Sequence, residues 1–138
     1  MNEPGRPTGR ALRVALVDYA PIERDGFQAY IERADSCELV LAVAQGSALL
    51  AALQGGLLVD VVLVRFNVLD DGGGVLVEAL GQQFPALRTI AMLQEPALAE
   101  RAREAGATWI VPLQGLDRKG FGNLMEQVRS ALFLPGER

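Results

Sequence analysis

The sequence predicts a three-layer α/β fold, a five-stranded parallel sheet covered by helices on both faces. Three observations predict it. Five short apolar runs, starting near Leu12, Leu39, Val61, Arg88 and Thr108, have the length and branched content of buried strands. Each is followed by a stretch in which apolar residues recur at helical spacing. The chain has 138 residues, 50% hydrophobic and 22% charged, which is one ordinary globular domain with one real core. Strands that alternate with helices imply right-handed crossovers and a parallel sheet.

In order, residues 1–10 carry Pro4, Gly5, Pro7 and Gly9 and read as a flexible polar arm. Leu12 to Val17 is the first strand, ending at Asp18. Pro21 suits the first turn of a helix, where its missing N–H costs nothing. Ile22, Phe27, Tyr30, Ile31 and Ala34 are assigned to one face of that helix. Ser36 to Glu38 turn the chain into a strand over Leu39–Ala44. Ser47 is the expected N-cap of a short helix bearing Leu49, Leu50 and Leu53, ended by Gly55 and Gly56.

The third strand, from Val61, leads through Arg65 into a glycine-containing loop and a helix with Val75, Leu76, Ala79 and Leu80, stopped by Phe84 and Pro85. Arg88–Leu93 is strand four, and Glu95 and Pro96 open a helix bearing Leu98, Ala102 and Ala105, with Gly106 past its end. Thr108–Val111 is strand five, closed by Pro112. Phe121, Leu124, Met125, Val128 and Leu132 mark the last helix, from about Arg118 to Leu132. Five such units fit the flavodoxin-like order 2-1-3-4-5, a doubly wound (βα)5 sheet. Strands one and three then sit side by side at the switch point, and Asp18 faces Arg65 across the cleft at their carboxyl ends.

Composition excludes several chemistries. There is no histidine, which removes His ligands, His bases and Ser-His-Asp catalysis together. Cys37 is the single cysteine and reads as a small apolar residue near a strand start. The net charge of -4 argues against gripping a phosphate backbone, which needs a basic face. No apolar run is long enough to span a membrane, and the arm lacks a signal-peptide pattern, so a cytoplasmic location is expected. Asp70 and Asp71 read as loop residues solvating the turn before Gly72. Asp60 precedes its strand and reads as structural.

These landmarks together carry a resemblance. Leu16-Val17-Asp18 with Pro21 and Gly26, the run from Asp60 to Leu63, Gly73, Pro85 and Glu104-Ala105-Gly106-Ala107 resemble, in order and spacing, the receiver domain of bacterial two-component response regulators. The likeness is to those that precede a LuxR/NarL-type helix-turn-helix and covers residues 12–132, within a receiver-like domain of 11–132. In that family two adjacent acidic residues after strand one bind Mg²⁺ and an aspartate after strand three accepts a phosphoryl group. A Ser or Thr after strand four and a Lys after strand five contact that group. Carried over by position, the first acidic residue is Asp18 and is kept, the second is Tyr19, and the acceptor is Arg65. The Ser/Thr position is Leu93 and the lysine position is Leu113.

The resemblance therefore implies a pseudo-receiver. Arg65 has no acceptor oxygen and cannot be phosphorylated as an aspartate is. One carboxylate beside a guanidinium cannot supply the oxygen shell that Mg²⁺ demands. No cofactor, no metal and no enzymatic activity are expected. The expected function is signal transduction and transcription regulation by protein contact, independent of phosphorylation. The alternative is a sensor that binds a metabolite in the degenerate cleft of Asp18, Tyr19, Arg65 and Leu93. Arg65 is expected either to pair with Asp18, or to make ordinary rim contacts, or to meet an anionic ligand. A homodimer is expected, with Arg103, Glu104 and Trp109 on its candidate interface, since the family often uses the face of helix four, strand five and helix five. Residues 133–138 resemble a linker toward a DNA-binding output domain, in the parent chain or on a partner.

Overall fold

The computed structural model describes residues 10–133; residues 1–9 and 134–138, which hold most of the expected arm and linker, lie outside the described residues. The strands are β1 (Leu12–Val17), β2 (Cys37–Val43), β3 (Val61–Phe66), β4 (Arg88–Leu93) and β5 (Trp109–Pro112). The helices are α1 (Pro21–Arg33), α2 (Gly46–Gln54), α3 (Gly72–Gln83), α4 (Ala99–Ala105) and α5 (Arg118–Leu132). All strand pairs are parallel, in the order β2-β1-β3-β4-β5. This is the flavodoxin-like order that the sequence predicts.

Side chains alternate across a strand, and here that alternation divides the core in two. Leu12, Val14 and Leu16 of β1, with Val61 and Leu63 of β3, pack against Ile31 of α1 and Phe121, Met125 and Val128 of α5. Ala15 and Val17, with Val62, Val64 and Phe66, pack against Leu49, Leu76, Leu80, Ala102 and Ala105 of α2, α3 and α4. Each fully buried side chain of this kind contributes about 1.5–3 kcal/mol. All six residues of β3 are buried, Arg65 included.

Four local expectations are corrected. Ile22 is 83% exposed, not part of the inward face of α1. It lies nine residues before the buried Ile31, and at about 100° per residue that puts it roughly 180° away. Val75 is likewise exposed; the inward row of α3 is Leu76, Val77 and Leu80. Ser47 is not an N-cap, because Gln45 holds the extended capping conformation and α2 begins at Gly46. Gly46 is needed there: a Cβ would lie 2.8 Å from Leu76 Cδ1, where α2 meets α3. After β4 the chain first makes a 3-10 turn over Pro96–Leu98, and α4 itself starts only at Ala99.

At the amino edge of the sheet, Asp60 ties three segments together. Its Oδ2 accepts from the Arg13 backbone N–H at 2.7 Å, and its two oxygens take both terminal nitrogens of Arg10, at 2.5 and 2.9 Å. Arg10 in turn lies over the Phe133 ring and accepts, through its carbonyl, from Arg129. Burial raises the proton affinity of Asp60, but the hydrogen bonds from Arg10 and Arg13 outweigh it and lower its pKa from 3.8 to about 2. Unfolded, the group takes its proton near pH 4; folded, only near pH 2. Stability from this group is thus complete above about pH 4 and lost as the pH falls toward 2. With the half-exposed Arg10 discounted for screening, the loss is roughly 1–2 kcal/mol. Urea unfolding at pH 5 and pH 2.5 should show it, and Asp60→Asn should flatten the difference.

Candidate functional site

The site grows from the register of β1 and β3. Val14 pairs with Val61 and the register runs unbroken to Val17 with Val64. One step further, Asp18 meets Arg65 on the α1–α5 side of the sheet. Arg65 Nη1 donates to Asp18 Oδ2 at 3.1 Å, with the two side chains 4% and 0% exposed. Of the three expectations for Arg65, the internal pair is the one formed. The other oxygen of Asp18, Oδ1, accepts from the Ala20 N–H at 3.0 Å, where the chain turns into α1. Arg24 then donates to the Asp18 carbonyl at 2.9 Å. Tyr19 covers the guanidinium, with its ring centroid 5.9 Å from Arg65 Cζ.

A residue that the sequence reading passes over completes the arrangement. Gln94 accepts from Arg65 Nη2 through Oε1 at 2.9 Å. Arg65 pairs in register with Met92, so Gln94 continues the same-face row Ile90, Met92, Gln94. Counting alternate residues from Met92 would have found it. The same alternation overturns the expectation for Leu93, which points to the opposite face among the α2–α4 side chains and forms no wall beside Arg65. Leu113 packs on the α1–α5 side, and its N–H donates to the Leu93 carbonyl at 2.8 Å. Trp109 is half-buried against that same core, while Arg103 is exposed and pairs with Glu100, and Glu104 is exposed beside it.

The residues do not fit a Mg²⁺ ion. Both oxygens of Asp18 are engaged, one by a backbone N–H and one by a guanidinium. No group of three or more His, Cys, Asp or Glu among the described residues is placed to hold a metal ion. Within the buried cluster one donor, Arg65 Nε, has no hydrogen-bond partner.

Beside this pair a concavity of about 280 Å³ opens toward α2 and α3, lined by Tyr19, Gln45, Gly46, Arg65, Asn67 and Asp70 among others. Neither Asp18 nor Leu93 lines it. A larger groove of about 600 Å³, apolar and lined by Leu57, Phe84, Leu87, Leu132 and Phe133 among others, lies at the opposite end of the strands and shares nothing with Arg65. No helix among the described residues is long and apolar enough to cross a membrane.

No protein-family model matches the chain, and no curated protein matches it in sequence. Solved structures do. A LuxR-family two-component response regulator from Aurantimonas sp. SI85-9A1 superposes with a TM-score of 0.76 at 24% identity, over 88% of this chain and 87% of that one. The signal receiver domain of NarL from Mycobacterium tuberculosis gives a TM-score of 0.75 at 20% identity, over 88% and 98%. The response regulator RcsB in complex with DNA gives 0.76 at 20% identity, over 88% of this chain and 62% of that one. The chain thus has the flavodoxin-like fold seen in these response-regulator receiver domains.

Removing the guanidinium while keeping the carboxylate should leave an uncompensated buried charge. Arg65→Met is expected to cost about 3–5 kcal/mol in urea unfolding. The double variant D18N/R65M, in which an amide oxygen can still accept from Ala20, should recover at least half of that loss. Equal losses in the single and the double variant would show that the carboxylate left behind by Arg65→Met carries no buried-charge penalty.

Proposed function

We propose that this chain is a receiver-like signalling module that works without phosphorylation and regulates transcription through protein contact. The observation that carries the reading is the buried pair itself. A cation stands where the family keeps its reactive aspartate, and the remaining carboxylate has both oxygens occupied. A group that cannot accept a phosphoryl, next to a carboxylate that cannot open to a metal, leaves binding as the means of switching. The module is not itself an enzyme and needs no cofactor. Output runs through a DNA-binding domain in the parent chain or on a partner, a reading supported by the DNA-bound relative. The net charge of -4 supports assigning DNA contact to that other domain. The exposed face with Arg103 and Glu104, next to the half-buried Trp109, is the proposed homodimer surface.

A second reading is favoured by one feature. The concavity beside Arg65 is lined by Gln45, Asn67 and Tyr19, residue types that can hydrogen-bond a small metabolite. A stabilising ligand in a thermal-shift screen would support a sensor, since ligand at one hundred times its dissociation constant adds about 2.7 kcal/mol.

Two measurements test the main reading. Intact mass after incubation with Mg²⁺ and a small phosphodonor should show no phosphoryl uptake, and beryllium fluoride should leave Trp109 fluorescence unchanged; stoichiometric uptake overturns the reading. Arg65→Asp, which places a second carboxylate opposite Asp18, should acquire Mg²⁺-dependent thermal stabilisation that the native chain lacks.

A further inference from the structure

The loop that leaves β3 carries a second arrangement that the buried pair does not explain. Arg101 of α4 reaches across to α3 and grips two carboxylates. Its Nε donates to Asp71 Oδ1 at 2.7 Å, its Nη2 donates to Asp71 Oδ2, and its Nη1 donates to Glu78 Oε2 at 2.8 Å. The bidentate fork fixes orientation as well as charge. Gly74 makes room for it: a Cβ there would lie 2.6 Å from both Arg101 Nε and Asp71 Oδ1. The ion pair holds the Asp71 carboxyl below its ordinary range, chiefly through the hydrogen bond from Arg101.

Asp71 is also the residue just before α3, where an aspartate ordinarily accepts from the N–H groups of the helix's first turn. Here it does not. Its backbone, at φ -99° and ψ 23°, lies outside the extended capping conformation, and its side chain makes no capping hydrogen bond. The Gly72 N–H is taken by Asp70 instead, at 2.8 Å. The carboxylate of Asp71 thus lies beside the first turn of α3 but is claimed by α4.

We propose that Asp71 is a two-position latch. In one position it pairs with Arg101 and couples the β3–α3 loop to α4; in the other it releases Arg101 and caps α3 through the N–H groups of Gly73 or Gly74. Each position satisfies the carboxylate, so their energies differ by little. An ion pair at the surface and an N-cap are both weak interactions of similar size. A partner that presents a carboxylate to Arg101 on α4 displaces Asp71 and moves the loop next to Arg65. By linkage, a ligand that repositions the loop changes affinity at α4 by the same factor. The signalling role of the latch rests on the functional reading above; the latch itself does not.

Amide NMR and hydrogen exchange on the full chain test this. Arg101→Met should shift the Gly73 or Gly74 amide proton downfield as the carboxylate turns to cap. It should also speed exchange in Ala99–Ala105 by about two- to fivefold, the change expected when the surface pairs with Asp71 and Glu78 are lost together. Asp71→Ala should speed the same α4 amides without the downfield shift. Asp71 is exposed and Arg101 partly so, and unchanged protection of β1 and β3 amides confirms an intact fold. Glycine amides that stay in place in Arg101→Met overturn the proposal, as do α4 amides that stay protected in either variant. No phosphodonor enters this experiment, so a failed latch leaves the functional reading standing, and phosphoryl uptake by the native chain leaves the latch standing.

Discussion

The register between β1 and β3 governs what the carboxyl edge of this sheet can do. Parallel pairing carries Val17 against Val64, and the next residues on each strand are Asp18 and Arg65. Strand alternation turns both to the α1–α5 side, so a buried carboxylate has a buried guanidinium as its neighbour. Neither charge is tolerable there alone, and a shift of one residue would send one of them into the apolar core on the other face. The register is held by a wholly buried β3 and, at the far end of the strands, by the clasp of Asp60 on Arg10 and Arg13.

Such a pair is not chiefly a source of stability. Desolvating two ions costs several kcal/mol each, and their attraction and hydrogen bonds recover about that much. What the pair does is occupy. Together with the Ala20 N–H it engages both Asp18 oxygens, and it puts positive charge at the carboxyl end of β3. Tyr19 and Gln94 extend the effect, one over the face of the guanidinium and one at its edge. The same scaffold that can present a reactive edge is here closed by its own side chains.

The ion pairs of this molecule act at two levels of burial. Asp18 with Arg65 is enclosed and sets chemistry, whereas Arg101 with Asp71 and Glu78 is partly exposed and joins one helix to another. Solvent screens the second kind, so it can exchange partners at low cost. The first kind closes the cleft, and the second holds the loop beside it.

Sequence alone determined the fold class, because alternating apolar runs and helical repeats specify a parallel sheet covered on both faces without reference to distant contacts. It also determined that Arg65 brings a guanidinium with no acceptor oxygen to the end of β3, since that follows from the identity of one side chain. It placed Asp18 opposite Arg65, because neighbouring strands at a switch point bring their ends together, and left open whether the two would pair. Only the tertiary structure decided that the pair is enclosed, that Gln94 shares it and Leu93 does not, and that Ile22 and Val75 face outward. Those outcomes turn on the exact phase of a helix or strand against the sheet, where one residue of uncertainty reverses the side. The grip of Arg101 on Asp71 was least legible of all: it joins residues thirty positions apart through long, flexible side chains, and no local pattern records such a contact.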